Sequence, residues 1–386
     1  MAFWGCGDAN AGGETASTSE DEAALQNGPS CGGGGNHGPE ASVLAKIDSP
    51  IAGVAGDDDV VFVGEALDGA VTVVSRATGK QIGFVPAPPG GFALPLIMHT
   101  IGPGKIAILA AGGLPQPDPF TPADPIIYEY SYSYHHGTFA AKQTRAIDFS
   151  SAFIGFSEDF VKLDDGRYLL SDAILGSVWI AEKDGTIKPG IVPKTFDPSD
   201  AIPELALCPT MPEVTVNGYP FLFSGSTLPG VSPLAVKHGT VYYFSPCGRG
   251  IYSFPLAALS DHRQPWQRAR DIRLVASTPK NVKVEELLDF TFNPYDPSDD
   301  HLYAADPLAL AVIRVDIHNG RRETLASGAT LFDFPSSLGF LPQHGRESTL
   351  VVASNQQERT PLTNDAVTDT TFNFPFIVAQ IKFDAH

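Results

Sequence analysis

The sequence is short of basic residues. It has 25 Lys and Arg against 44 Asp and Glu, so its formal net charge at pH 7 is −19. Such an acidic surface repels a phosphate backbone, which argues against nucleic acid as a partner. The same charge favours solubility and is compatible with the binding of cations.

Long apolar runs and helical periodicity are also missing. No stretch of eighteen apolar residues occurs, so no segment is expected to cross a membrane as a helix. No window keeps an apolar stripe with the 3.6-residue period of an amphipathic helix. The motifs GxSxG, HExxH, the Walker phosphate loop and the dinucleotide-binding fingerprint do not appear in the context that each requires, so the enzyme classes they mark are not indicated.

Cysteine is scarce, with four residues in 386. Cys6 and Cys31 lie in the first forty residues, and Cys208 and Cys247 lie in the remainder. An even number permits a Cys208–Cys247 disulfide in an exported protein, while two reduced buried thiols are the alternative. No CxxC pair or Cys/His spacing typical of a metal site occurs.

The first forty residues contain no Lys or Arg, and Gly, Ser, Thr, Asn and acidic residues dominate. This composition predicts a disordered leader at 1–40, followed by a folded domain at 41–386. "AFWGCG" near the start resembles the end of a lipoprotein signal, although the charged start and apolar body of a signal peptide are missing. We therefore expect a secreted or cell-envelope protein, with a lipid anchor or export through a truncated leader; a cytoplasmic location is the alternative.

Turn residues and aromatics, in contrast, are abundant, with 38 Gly, 33 Pro and 24 Phe. A pattern of strand, turn, strand, Gly-containing turn and strand recurs six times, at 48–85, 97–133, 157–187, 232–256, 288–325 and, in two parts, 335–355 with 374–384. Units of this kind bury both apolar faces when they stack radially. The repeat predicts an all-β, six-bladed β-propeller with long proline-rich loops at 112–125 and 194–214. The strand at 42–47 is expected to join the last blade and close the ring.

Three of the units resemble blades of the regucalcin and gluconolactonase-like (senescence marker protein-type) propellers. "DSPIAGVAGDDDVVFVGEALDGAVTVVSRATGKQ" looks like their first blade, which an acid-Ser-Pro opens. "GVSPLAVKHGTVYYFSPCGRGIYSFPL" is similar to their G-x-N-G-[IL] blade, and "LDFTFNPYDPSDDHLYAADPLALAVIRVD" to their P-D-G-[IM] blade. The resemblance covers residues 41–386 and implies a gluconolactonase-like hydrolase with a small-molecule substrate.

In that family a divalent cation, usually Ca²⁺, lies at the mouth of the central channel, held by the first residues of several innermost strands. Radial strands direct those side chains to one point, and a hard cation prefers oxygen ligands. Carried over residue by residue, the first-blade acid is Asp48 and the third-blade polar position is Glu158. The resemblance thus implies these two as calcium ligands. They are also candidate catalytic residues, and Glu158→Gln and Asp48→Asn are expected to impair activity.

At other positions, this sequence lacks the metal-ligating residue that the family has. The fourth-blade asparagine is replaced by Ser232 and the fifth-blade aspartate by Leu288, with Ser336 as a further weak oxygen donor. These three are candidate substrate-binding residues. The neighbouring acids Asp159 and Asp289 are expected to point away from the channel, because side chains alternate along a strand. Loose Ca²⁺ binding, solvated strand-end acids and a metal-free acid/base site remain alternative interpretations.

His99 ("LIMHTIG") is a further candidate catalytic residue, with a packed structural histidine as the alternative. Arg359 ("NQQERTP") is expected at the surface, with contact to an anionic ligand as the alternative. Three functions are compatible with these residues. The first is hydrolysis of a small lactone or ester, and the second is a metal-independent cyclase of the hetero-Diels–Alder type, as in similar propellers of fungal natural-product pathways. The third is a ligand-binding propeller without catalysis.

Overall fold

A computed structural model describes residues 39–113, 123–195, 197–205, 211–223, 231–344 and 347–384. These residues form six four-stranded antiparallel sheets and one two-stranded hairpin. The predicted leader, apart from its last two residues, lies outside this part of the chain, as do Cys208 and most of the proline-rich stretch at 112–125. Cys247 is disulfide-bonded. Within the described residues, no helix has the length and apolar character to cross a membrane.

The strands are short and are separated by the Gly- and Asp-rich turns of the repeat. In chain order they are β1 (Glu40–Ile47), β2 (Ile51–Gly56), β3 (Val60–Glu65), β4 (Ala70–Ser75), β5 (Gln81–Phe84), β6 (Pro95–Gly102), β7 (Lys105–Ala110), β8 (Ile126–His135), β9 (Thr138–Asp148), β10 (Phe160–Lys162), β11 (Tyr168–Asp172), β12 (Ser177–Ala181), β13 (Ile187–Ile191), β14 (Val214–Val216), β15 (Tyr219–Phe221), β16 (Leu234–Lys237), β17 (Thr240–Ser245), β18 (Gly250–Pro255), β19 (Arg273–Ser277), β20 (Phe290–Thr291), β21 (His301–Asp306), β22 (Ala311–Asp316), β23 (Arg322–Ser327), β24 (Pro335–His344), β25 (Glu347–Ser354) and β26 (Phe376–Asp384). Short 3₁₀ helices cover Pro198–Asp200, Leu256–Ser260, Pro265–Asp271 and Gln357–Arg359.

The six sheets follow one another around a ring. The first five blades are β2–β5, β6–β9, β10–β13, β16–β19 and β20–β23, and the sixth consists of β24, β25, β26 and β1. Each innermost strand contacts the next, from β2 through β6, β10, β16 and β20 to β24, which contacts β2 again. β1 pairs with β26, with Ile47 opposite Phe376, so the N-terminal strand closes the ring as predicted. The predicted all-β, six-bladed propeller is confirmed.

Each of the first five blades has four strands rather than the three of the sequence repeat. The additional strand is the outermost one, as in β5 and β23, whose residues are mostly exposed or half-buried. Such a strand carries little apolar periodicity, which is why the repeat did not reveal it.

The core lies between the blades. β3 (VVFVGE) and β12 (SVWIA) are buried over their whole length, because neighbouring blades cover both faces of each sheet. Between the first two blades, Phe62 packs edge-on against Tyr132, with ring centroids 4.8 Å apart. The aromatic face of "YEYSYSY" therefore belongs to the packing between blades, as its period-two alternation suggested.

Candidate active site at the channel mouth

A pocket with about 1000 Å³ of empty space, counting its open mouth, lies where the innermost strands begin. Every blade contributes to its wall a residue at or near the N-terminal end of its innermost strand. These residues are Ile51, Leu96, Glu158, Ser232, Leu288 and Ser336. The convergence of radial strands thus brings the predicted substrate-binding residues Ser232, Leu288 and Ser336 to one cavity together with Glu158.

Glu158 is half-buried, and its Oε2 atom is buried without a hydrogen-bond partner. Burial raises the pKa of its carboxyl to about 7; the nearby Ser232 hydroxyl opposes this rise and the charge of Asp159 adds to it. Ser232 Oγ is likewise buried without a hydrogen-bond partner. A carboxyl that titrates near neutrality can both accept and release a proton at physiological pH.

A second carboxyl in the pocket belongs to Glu286, which the sequence motifs did not indicate. Its side chain is buried, lines the same pocket and leaves Oε2 without a partner. Burial raises the pKa of Glu286 well above its ordinary value, and the charges of Glu158, Asp306 and Glu285 add to the rise. Glu286 lies in an irregular stretch before β20, where strand alternation does not apply, so no signal in the sequence marked it.

Four buried oxygens at this pocket have no partner within the described structure. They belong to Glu158, Ser232, Glu286 and Asn355. The Ser336 hydroxyl differs, because it donates to the carbonyl of Ala52 at 3.1 Å. A buried polar atom left without a hydrogen bond costs about 1–3 kcal/mol, so a ligand that bonds to these oxygens offsets that cost.

Asp48, the other predicted ligand and catalytic candidate, is not part of the pocket. Its side chain is exposed, and the wall on this blade begins at Pro50. β2 starts only at Ile51, so Asp48 lies in the bend between β1 and β2 rather than at the head of the innermost strand. The structure therefore does not assemble the predicted pair of Asp48 and Glu158.

His99 also lies outside the pocket, further along the channel on β6. Its Nε2 is 3.2 Å from Asp159 Oδ1, and its ring packs edge-on against Phe160 with centroids 4.8 Å apart. Burial lowers the pKa of His99, but the hydrogen bond to Asp159 and the charge of that residue outweigh burial, so the pKa is raised. These contacts are those of the packed structural histidine rather than of a group that reaches a substrate in this pocket.

Asp159 and Asp289 do not point away from the channel, contrary to the prediction. Asp159 contacts His99 on the second blade and accepts a hydrogen bond at 2.6 Å from the N–H of Leu234 on the fourth. Asp289 accepts a hydrogen bond at 2.9 Å from Ser337 Oγ on the sixth blade. Each acid directly precedes its strand, β10 or β20, so strand alternation does not apply to it. Both carboxyls are fully buried and tie the blades together beside the pocket.

The outer wall of the pocket combines two segments that are distant in sequence: Phe223, which follows the hairpin β14–β15, and residues of the stretch 355–372. Asn364 is fully buried and donates to the carbonyl of Pro220 at 2.8 Å. Arg359 is buried too, and pairs with Asp333 at 2.7 Å. The expectation of a surface arginine at 359 is therefore wrong, since this guanidinium holds the wall together from inside.

The residues at the mouth do not fit the calcium centre that the resemblance implied. Calcium takes roughly six to eight oxygen ligands, with carboxylates among them. Within the part of the chain that the structure describes, no group of three or more His, Cys, Asp or Glu side chains could hold a metal ion. Asp48 lies apart from Glu158, and the hydrocarbon side chain of Leu288 occupies the position of a third family ligand.

Restoring the lost ligand is expected to create a calcium site. In Leu288→Asp, a third carboxylate joins Glu158 and Glu286 at one pocket, and Ca²⁺ relieves their mutual repulsion. Ca²⁺ at about 100 times its Kd should stabilise this variant by about 2.7 kcal/mol, with no comparable effect on the wild type. Thermal unfolding in Ca²⁺ and in EDTA measures the difference, and Leu288→Asn is the control that adds polarity without charge. An equal calcium effect on the wild type would contradict the poor fit described above.

No protein-family model matches the chain, and no curated protein matches it significantly. Several solved structures are similar at low identity. Luciferin-regenerating enzyme is 12% identical, with a TM-score of 0.53 over 89% of this chain and 95% of that chain. A calcium-binding protein, regucalcin, from Agrobacterium tumefaciens is 12% identical, with a TM-score of 0.50 over 90% and 95% of the two chains. A proposed gluconolactonase is 13% identical, with a TM-score of 0.50 over 90% and 93%.

At these identities the similarity shows the fold alone. It confirms the resemblance that the repeat motifs carried, and it lends no support to the cyclase alternative. The chain is a six-bladed β-propeller with the fold of regucalcin and the gluconolactonase-like proteins.

Proposed function

We propose that the protein hydrolyses a small ester or lactone in the channel-mouth pocket. Glu158 acts as the general base that takes a proton from water, and Glu286 acts as the acid that donates a hydrogen bond to the substrate carbonyl. The observation that carries this proposal is the pair of glutamates, each with a buried and unpartnered Oε2, on the wall of one largely apolar pocket. The fold shared with a proposed gluconolactonase is compatible with it.

The two carboxyls take different roles because their surroundings differ. Glu286 is fully buried beside three other acids, and burial raises its pKa well above the ordinary value, which favours its protonated form. Glu158 is half-buried and, with a pKa of about 7, is partly ionised at neutral pH. A pair of acids whose surroundings separate their pKa values in this way is typical of acid/base catalysis.

The proposed reaction balances with these two side chains and one water. Water adds its oxygen to the carbonyl carbon while its proton moves to Glu158, and the charge that develops on the carbonyl oxygen is stabilised by the O–H of Glu286. Collapse of the tetrahedral intermediate breaks the bond to the ester oxygen, and Glu158 returns the proton to that oxygen. The products are a carboxylic acid and an alcohol, joined in one molecule when the substrate is a lactone.

A panel of p-nitrophenyl esters and of γ- and δ-lactones tests the proposal, with acid release followed in the presence of EDTA or of Ca²⁺. We expect turnover that EDTA does not lower. Glu286→Gln can still donate an N–H and should retain more activity than Glu286→Leu, which can donate nothing. Activity that is lost in EDTA and restored by Ca²⁺ would overturn the metal-free mechanism. A folded protein that turns over no ester or lactone in the panel would overturn hydrolysis itself.

A further inference from the structure

The wall of the pocket is mainly hydrocarbon. Outside the acidic centre, its surface comes from side chains that offer no hydrogen bond, which include Leu67, Leu94, Leu96, Phe156, Phe223 and Phe372. Within the part of the chain that the structure describes, no Lys, Arg or His lines it. Since a charged or heavily hydroxylated molecule loses its hydration on entry, this wall favours a ligand whose surface is itself apolar.

Apolar surface continues from the pocket to its solvent-exposed rim. Leu67 and Leu362 line the pocket, yet they are 49% and 41% exposed. Phe374, which is 57% exposed, packs edge-on against the lining residue Phe372 with ring centroids 6.4 Å apart. Exposed apolar side chains grouped at a cavity mouth are typical of a ligand-binding groove, whereas single ones scattered over a surface are ordinary.

Several polar residues of the wall are already satisfied inside the protein. The hydroxyl of Ser336 donates to Ala52, that of Thr363 donates to the carbonyl of Gln357 at 2.8 Å, and that of Thr360 lies 3.2 Å from the Thr370 hydroxyl. A sugar lactone brings several hydroxyls, each of which needs a partner when buried. The free oxygens are instead concentrated on Glu158, Glu286, Ser232 and Asn355, which suits one polar group attached to a larger apolar body.

The charges at the pocket also favour a ligand that is not an anion. Among the described lining residues the ionisable ones are Glu158, which carries the negative charge when ionised, and Glu286, and no described cation of the wall offsets that charge. An anionic substrate would therefore be repelled at the position where the reaction takes place.

We propose that the substrate of this site is an uncharged ester or lactone that carries an alkyl or aromatic substituent, and that this substituent lies against the wall and rim formed by Leu67, Leu362 and Phe372. The ester group itself lies between Glu158 and Glu286. The ester or lactone group in this assignment rests on the proposed hydrolysis. The apolar substituent can be tested by binding alone.

Binding is measured by calorimetry with δ-lactams, which keep the ring and carbonyl of a lactone but resist hydrolysis. In a series from methyl to heptyl substituents, affinity should rise by about fourfold for each methylene that is buried. The polyhydroxylated gluconolactam and a heptyl chain ending in a carboxylate should each bind at least tenfold more weakly than the heptyl lactam. Equal or tighter binding of gluconolactam would overturn the assigned substrate class.

The rim is tested with the variant Leu362→Ser. Because Leu362 is exposed, the fold should tolerate this substitution. The variant's affinity for the heptyl lactam should fall by about threefold or more, with no change for the methyl lactam. Leu274→Ser is the matched control, since Leu274 is also exposed but lies on β19, away from the pocket. Equal losses in the two variants, or none in either, would contradict the placement of the substituent.

Kinetics with the corresponding lactones separates this inference from the proposed function. Binding that depends on chain length, without turnover of any lactone, would keep the apolar ligand class and overturn hydrolysis. Turnover that is fastest with gluconolactone would keep hydrolysis and overturn the ligand class. We expect kcat/KM to increase along the alkyl series.

Discussion

Replacing Glu158 with glutamine is expected to lower kcat/KM for ester or lactone hydrolysis by about 10²- to 10⁴-fold. Glutamine has nearly the same shape, so the pocket should remain intact, but an amide cannot take a proton from water. The loss should therefore appear without a loss of folding stability, which thermal unfolding checks. An activity within about threefold of the wild type would remove Glu158 from the mechanism.

The pH dependence supplies a second readout for the same residue. As a general base Glu158 must be ionised, so wild-type kcat/KM should rise with pH through about 7, the value to which burial raises its pKa. The residual activity of Glu158→Gln should lack this rise. Asp48→Asn is the control: although the family position suggested a role for Asp48, its exposed side chain lies outside the pocket, and we expect unchanged activity.

The propeller could be predicted because its signals are local. Turn residues at regular spacing mark each blade, and the apolar alternation at 42–47 marks the closing strand β1. The family rule that innermost strands begin at the channel mouth also indicated Glu158, Ser232, Leu288 and Ser336, and the structure places these four residues on the wall of one pocket. That rule depends on fold topology, which the repeat determines.

The same rule failed where the backbone is irregular. Asp48 lies in a bend before β2, and Glu286, Asp159 and Asp289 lie in stretches that precede a strand. Strand alternation cannot place side chains there. Glu286 was therefore missed, and Asp159 and Asp289 were wrongly predicted to point away from the channel. Their positions depend on hydrogen bonds between blades, such as the one from Leu234 N–H to Asp159.

Arg359 shows a second limit of sequence reasoning. Its charge and its flanking polar residues are typical of a surface loop, yet it is buried and paired with Asp333 and Glu358. Its guanidinium also donates to Tyr219 Oη at 2.7 Å, across 140 positions of sequence. Contacts between the 214–223 and 355–372 segments carry no periodicity, so only the structure reveals the wall that they build.

The folded protein is expected to lose stability as the pH rises from about 5.5 to 7.5. Four carboxyls have a pKa raised to about 7 or 8, mainly by burial: Glu158, Asp289, Asp306 and Glu358. In the unfolded chain their pKa values are about 4. The folded state therefore holds protons that the unfolded state has released, and the stabilisation, fully present below about pH 4, is lost as the pH rises through the folded-state values.

The remaining titrating groups do not reverse this trend. Glu286, Asp159 and His99 also have raised pKa values in the folded protein, so their contributions have the same sign. Acids with a lowered pKa, such as Asp300 at about 2, oppose the trend only below about pH 4, where the unfolded chain takes up protons. If only two of the raised groups titrate as described, the free energy of unfolding falls by about 3 kcal/mol between pH 5.5 and 7.

Urea unfolding at several pH values and constant ionic strength measures this slope directly. Glu286→Gln, which is neutral in both states, should make the slope shallower by up to one proton, whereas the same change at the exposed Glu213 should leave it unaltered. A stability that rises with pH over this range would mean that the buried carboxyls are ionised in the folded protein. It would then also remove the protonated Glu286 on which the proposed hydrolysis depends, so the stability curve and the mechanism are tested by one titration.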